Sequence, residues 1–121
     1  MRHLAILVVS LVLAAAVSGP AFAHAHLVKS QPGKGAVVRS APSALVLWFS
    51  EPLEAAFSTI EVVDEAGHRV EEGKATLDPA DPKVLKVSLQ KLVPGSYKAV
   101  WRVISIDTHK TNGELTFTVA P

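Results

Sequence analysis

Two histidines, His24 and His26, directly follow Ala21-Phe22-Ala23, and a third, His109, closes the run Ser105-Ile106-Asp107-Thr108-His109 near the other end of the chain. In extended backbone, Asp107 and His109 leave the same face with their bases about 6.5–7 Å apart, within reach of one ion. Alone this pair is a weak signal, because an Asp-x-His in a loop is commonly just solvated. The amino-terminal side strengthens it. Met1-Arg2-His3 is a short cationic start, Leu4 to Val17 is apolar or small except for Ser10, and Gly19-Pro20 breaks any helix ahead of the small-x-small triplet. That run is too short to span a bilayer and has the flanks of a cleaved export signal. Residues 1–23 are therefore predicted to be removed, His3 with them, leaving 24–121 as the domain and His24 as its first residue.

A terminal His24 offers one ion two nitrogens. Its α-amine has an ordinary pKa of about 8 and its imidazole about 6.5, so a metal can displace both protons near neutral pH at modest cost. With His109 and Asp107 the set becomes three nitrogens and one oxygen. A tetragonal N,O set suits Cu(II), which also heads the affinity order among divalent first-row ions. Zn(II) competes for the same donors. Cu(I) prefers sulfur, but the chain has no cysteine and its one methionine, Met1, leaves with the signal.

His26 has two readings. It is either an outer imidazole or the third residue of a terminal His24-Ala25-His26 chelate, which binds through the amine, intervening amide nitrogens and the His26 ring. A strand starting at Ala25 needs those amide donors for its ladder, which ranks His26 as auxiliary. Glu51, in Phe49-Ser50-Glu51-Pro52, is either a solvated end-of-strand charge or an acceptor behind a ligating imidazole. His68, in Glu65-Ala66-Gly67-His68-Arg69, reads as exposed and inert.

These residues need a scaffold of modest size. Removing the signal leaves 98 of the 121 residues, enough for one core, with 11 Lys or Arg against 11 Asp or Glu. Zero net charge with singly scattered ions excludes the basic footprint of a nucleic-acid binder, and a monomer is expected. Without disulfides, stability must come from packing.

The pattern has period two. Leu115, Phe117 and Val119 alternate with Glu114, Thr116 and Thr118, and Leu85, Val87 and Leu89 flank Lys86 and Ser88. Strands are predicted at 25–30, 36–38, 45–50, 60–63, 84–89, 97–106 and 114–119, with one helical turn within 52–57. Gln31-Pro32-Gly33, Ala41-Pro42-Ser43, Glu65-Ala66-Gly67, Pro79-Ala80-Asp81-Pro82 and Val93-Pro94-Gly95 supply the turns. About seven short strands predict an all-β fold, a small antiparallel Greek-key sandwich or barrel. Trp48, Phe49, Tyr97, Trp101 and Phe117 are assigned to the space between sheets, and Tyr97, Ala99, Trp101 and Val103 to one core stripe.

Three blocks, His24-Ala25-His26-Leu27 with Ser30 and Pro32, Phe49-Ser50-Glu51-Pro52, and Gly95 through His109 with Gly113 and Phe117, together resemble the CopC-like periplasmic copper-resistance proteins. The resemblance covers essentially all of 24–121 and implies a cupredoxin-like or immunoglobulin-like sandwich. By position it implies His24, Asp107 and His109 as Cu(II) ligands, with Glu51 matching an acid beside them. It departs from the family in two ways. The methionine-rich Cu(I) site of some members is missing, implying a Cu(II)-only type, and Lys110 stands where members often have proline.

The expected function is that of an exported copper-binding protein rather than an enzyme. It would sequester or carry one Cu(II) in copper homeostasis or resistance in the periplasm, or at the cell surface of a single-membrane host. A CopD-type inner-membrane transporter is the partner the resemblance implies. Two alternatives stand beside it: an oxidative enzyme with a copper histidine brace, and a metal-free adhesion or scaffolding sandwich.

Overall fold

The computed structural model describes residues 24–121; the expected export signal and His3 lie outside the described residues. Eight strands form two sheets. They are β1 (Leu27–Gln31), β2 (Val37–Val38), β3 (Ala44–Phe49), β4 (Thr59–Val63), β5 (Glu71–Asp78), β6 (Asp81–Leu89), β7 (Gly95–Ile104) and β8 (Lys110–Val119). One sheet has the order β1-β3-β6-β5 and the other β2-β8-β7-β4. A 3-10 turn at Ala55–Phe57 fills the segment expected to hold a helical turn.

The strand order decides between the two sandwich types. Four strands in the order first-third-sixth-fifth face a sheet built on fourth, seventh and eighth, which is the immunoglobulin-type arrangement, with β2 added along β8. Tyr97, at the start of β7, buries its ring and donates its hydroxyl to the Val93 carbonyl at 2.5 Å, the corner that closes the same point of immunoglobulin sandwiches.

Alternation builds the core. Leu45, Leu47 and Phe49 from β3 meet Tyr97, Ala99, Trp101 and Val103 from β7 and Leu115, Phe117 and Val119 from β8, all buried. Tyr97 stacks on Phe117 with ring centroids 5.5 Å apart, and Phe49 meets Trp101 edge-on at 6.3 Å.

Four expectations need correction. Among the described residues there are eight strands, the extra one being β5, which forms a hairpin with β6 around Pro79-Ala80. Its Glu71-Glu72-Gly73-Lys74 start is polar because it is a sheet edge, where charge discourages pairing with another molecule. The sheets are not wholly antiparallel, since β2 runs parallel to β8. Trp48 does not fill the core. The alternation that turns Leu47 and Phe49 inward turns Trp48 outward, where the Lys29 ammonium lies 4.5 Å from its ring centroid. Finally, β7 ends at Ile104 and β8 begins at Lys110, so residues 105–109 form the turn of a hairpin rather than a strand end.

Candidate metal centre

That turn is held by its own backbone. The Thr108 N–H donates to the Ser105 carbonyl at 2.8 Å, and the Ser105 N–H to the His109 carbonyl at 3.0 Å. Thr108 has φ +73°, the left-handed conformation that returns the chain into β8 after a three-residue loop. The extended spacing expected for Asp107 and His109 is therefore absent, yet the turn brings them closer: Asp107 Oδ1 lies 3.2 Å from His109 Nδ1. The buried Ser105 hydroxyl donates to the same carboxylate. The Ser105 hydroxyl and then the His109 ring hold the Asp107 carboxyl below its ordinary pKa. Asp107 thus stays an anion beside the imidazole, in the position a carboxylate takes when it orients a ligating histidine.

His24 arrives from the opposite end of the sequence. Its ring meets that of His109 edge-on, with centroids 4.9 Å apart and planes at 86°. Two interactions that the sequence did not announce produce this approach. The Thr111 hydroxyl donates to the Ala25 carbonyl at 2.7 Å, tying the terminal segment to β8, and Ala25 itself is buried. Ser50, at the end of β3, donates its N–H to the His26 carbonyl at 2.9 Å and accepts the His26 N–H on its hydroxyl at 3.0 Å. Thr111 carried one faint signal, a hydroxyl standing two residues beyond His109.

The remaining candidates separate from this group. The His26 ring turns to Ser50, with Nδ1 3.0 Å from Oγ. Because β1 starts at Leu27, a side-chain hydroxyl rather than a ladder takes the His26 amide proton. Glu51 is half-buried, with no side-chain hydrogen bond or ion pair to another described residue. His68 is exposed in the 64–69 turn, 3.6 Å from Asp64. Among the described residues no three His, Asp or Glu side chains already converge on one point. His24 and His109 form a pair, and Asp107 stands behind His109. The donors are nitrogen and oxygen only, which fits a borderline divalent ion and not a thiophilic one.

The CopC domain model matches residues 27–120. Protein YobA of Escherichia coli K12 is 39% identical over 117 residues, covering 96% of this chain and 90% of that protein. Copper resistance protein C of Pseudomonas syringae pv. tomato is 37% identical, covering 85% and 86%. The copper transport protein CutJ of Bacillus subtilis is 35% identical over 99 residues, which are 81% of this chain but only 18% of CutJ. The crystal structure of CopC from Methylosinus trichosporium OB3b superposes with a TM-score of 0.76 at 33% identity, covering 81% of this chain and 95% of that one. The methionine-rich PcoC of Escherichia coli gives 0.69 at 35%, covering 80% and 99%. The sandwich is thus that of a copper resistance and transport family, and the chain belongs to the CopC family.

Proposed function

We propose that this protein is exported, loses residues 1–23, and holds one Cu(II) as cargo between the His24 amine and imidazole, the His109 imidazole and the Asp107 carboxylate. The observation that carries the reading is the edge-on meeting of the His24 and His109 rings at 4.9 Å, two imidazoles 85 residues apart at one end of the sandwich. Such a pair is ready to share an ion. Asp107, kept ionised beside His109, supplies the oxygen or the orienting acceptor, and the missing sulfur donors favour the cupric over the cuprous ion. The protein acts as a periplasmic monomer that sequesters or carries copper. Delivery to a CopD-type membrane transporter is supported by CutJ, in which the matching segment is under a fifth of a copper transport protein.

The test is Cu(II) paramagnetic resonance and competition titration on the exported protein, its first residue confirmed by mass spectrometry. A tetragonal spectrum with three nitrogens is expected. His24→Ala, His109→Ala or a residue added ahead of His24 each weakens binding by roughly a hundredfold or more, and His26→Ala by less than about threefold. A large loss confined to His26→Ala overturns the ligand assignment.

A further inference from the structure

The terminus His24-Ala25-His26 has a second way to hold Cu(II). The amine, two deprotonated amide nitrogens and the His26 imidazole can surround the ion in one plane, with no contribution from the rest of the fold. A free peptide of this sequence would bind in that manner, and the His109 site would go unused. Two hydroxyls stand against it. Ser50 Oγ accepts the His26 amide proton at 3.0 Å, the proton that planar chelation must remove, and lies 3.0 Å from His26 Nδ1, the nitrogen-bearing edge the planar mode must swing towards the ion. Ser50 also donates its own N–H to the His26 carbonyl at 2.9 Å, so His26 is gripped on both sides of its peptide.

Thr111 acts one residue earlier. Its hydroxyl fixes the Ala25 carbonyl at 2.7 Å, and the buried Ala25 side chain holds the segment in the core. Wrapping the backbone around an ion would pull both out. Thr111 is the second residue of β8, two beyond His109 in the turn, so the hook for Ala25 sits close to His109 in the chain, and the His24 ring next to Ala25 meets the His109 ring. One residue is pinned to each sheet, and the ordering cost of the two-ended site is met by the fold before any ion arrives.

We propose that the hydroxyls of Ser50 and Thr111 select the coordination mode of the amino terminus, suppressing planar chelation by His24-Ala25-His26 and directing Cu(II) to the site shared with His109. Both are positioning residues; neither touches the ion. The inference rests on the Cu(II) reading above.

The test compares exported wild type, Ser50→Ala, Thr111→Val and the double variant, each with and without His109→Ala, by paramagnetic resonance, proton release on Cu(II) addition and competition titration. Wild type gives a three-nitrogen spectrum and loses roughly a hundredfold or more in affinity on removal of His109, about 2.8 kcal/mol. The double variant gives a four-nitrogen spectrum indifferent to His109→Ala and releases more protons per copper. Thr111→Ser behaves as wild type. A double variant that keeps the three-nitrogen, His109-dependent spectrum overturns the inference while leaving the copper site standing. A wild type that already shows four nitrogens and ignores His109→Ala overturns both. Circular dichroism melts establish folding; should the double variant melt early, Ser50→Ala alone must show a four-nitrogen fraction growing with pH, and its absence at every pH refutes mode selection.

Discussion

Gly113→Ala perturbs the strand that carries Thr111 and begins directly after His109. Gly113 faces Trp101 in the β7–β8 register, and the indole lies flat across it. A Cβ at position 113 would stand 2.4 Å from Trp101 Cζ2 and 2.8 Å from Cε2, against the roughly 3.5–4.0 Å at which carbon atoms rest. The ring would have to retreat by about 1 Å. It has little room, being 8% exposed with Phe49 edge-on at 6.3 Å. Overpacking of this kind costs about 1–3 kcal/mol, and the loss of unfolded-chain freedom on replacing glycine offsets about 0.4–1 kcal/mol of it. The expected net is about 1–2 kcal/mol of destabilisation, lowering Tm by roughly 5–15 °C for a domain of this size. Thermal and urea unfolding should be followed by circular dichroism, which reports equally when Trp101 is replaced. Shrinking the ring with Trp101→Phe should make the Gly113→Ala penalty smaller, a coupling expected only of touching residues. A Gly113→Ala protein as stable as its parent, or additive with Trp101→Phe, refutes the packing argument.

Thr108→Gly should act in the opposite direction. A β-branched residue at φ +73° costs roughly 1–2 kcal/mol and glycine returns about 0.5–1 kcal/mol of that as lost chain entropy, so Tm should rise by a few degrees in calorimetry; a fall would show that Thr108 is not held left-handed. Glu71 governs part of the acid limb. Burial alone would raise its pKa, but the Val62 N–H at 3.0 Å, its own N–H and Arg69 prevail and hold it below the ordinary value. A carboxyl depressed in the folded state stabilises above the unfolded pKa of about 4.3 and loses that contribution as pH falls through the folded value. The Tm gap between wild type and Glu71→Gln should therefore be full at neutral pH and shrink below about pH 4; a gap constant to pH 3 counts against the assignment.

Much of the sandwich was legible because burial imposes period two on β3, β6, β7 and β8, and the residues facing inward are those the alternation selects. Where residue type was preferred to alternation, as at Trp48, the assignment failed. β5 was hidden because an edge strand has only one neighbour and half its residues meet water, so Glu71-Glu72-Gly73-Lys74 reads as loop. The turn at 105–109 was hidden for a different reason: it contains no glycine, and its left-handed position is occupied by a threonine. Of the site, the residue types pointed to nitrogen and oxygen ligation, but no spacing rule could bring His24 to His109. That juxtaposition is made by β1 pairing with β3 and by one hydroxyl on β8, both contacts between segments remote in sequence.

Because of that remoteness, copper binding and folding are joined in an unusual balance. A ligand that binds only the folded state stabilises it by RT ln(1 + [L]/Kd), and the proposed site of residues 24, 107 and 109 would exist only when the sandwich is closed. With residues 1–23 removed as proposed, the unfolded chain would still carry the His24-Ala25-His26 chelate, and any affinity there would subtract from the linkage. The fold gains from its cargo only to the extent that the two-ended site out-competes the local one. The serine and threonine hydroxyls that pin residues 25 and 26 therefore bear on stability in copper as well as on where the ion sits. A carrier must also surrender its ion. An ion held between two segments can be released by parting them, whereas planar chelation would first require the amide nitrogens to regain their protons. The hydrogen bonds of the hairpin turn and the clasped terminus together favour a proposed site that is ordered before binding.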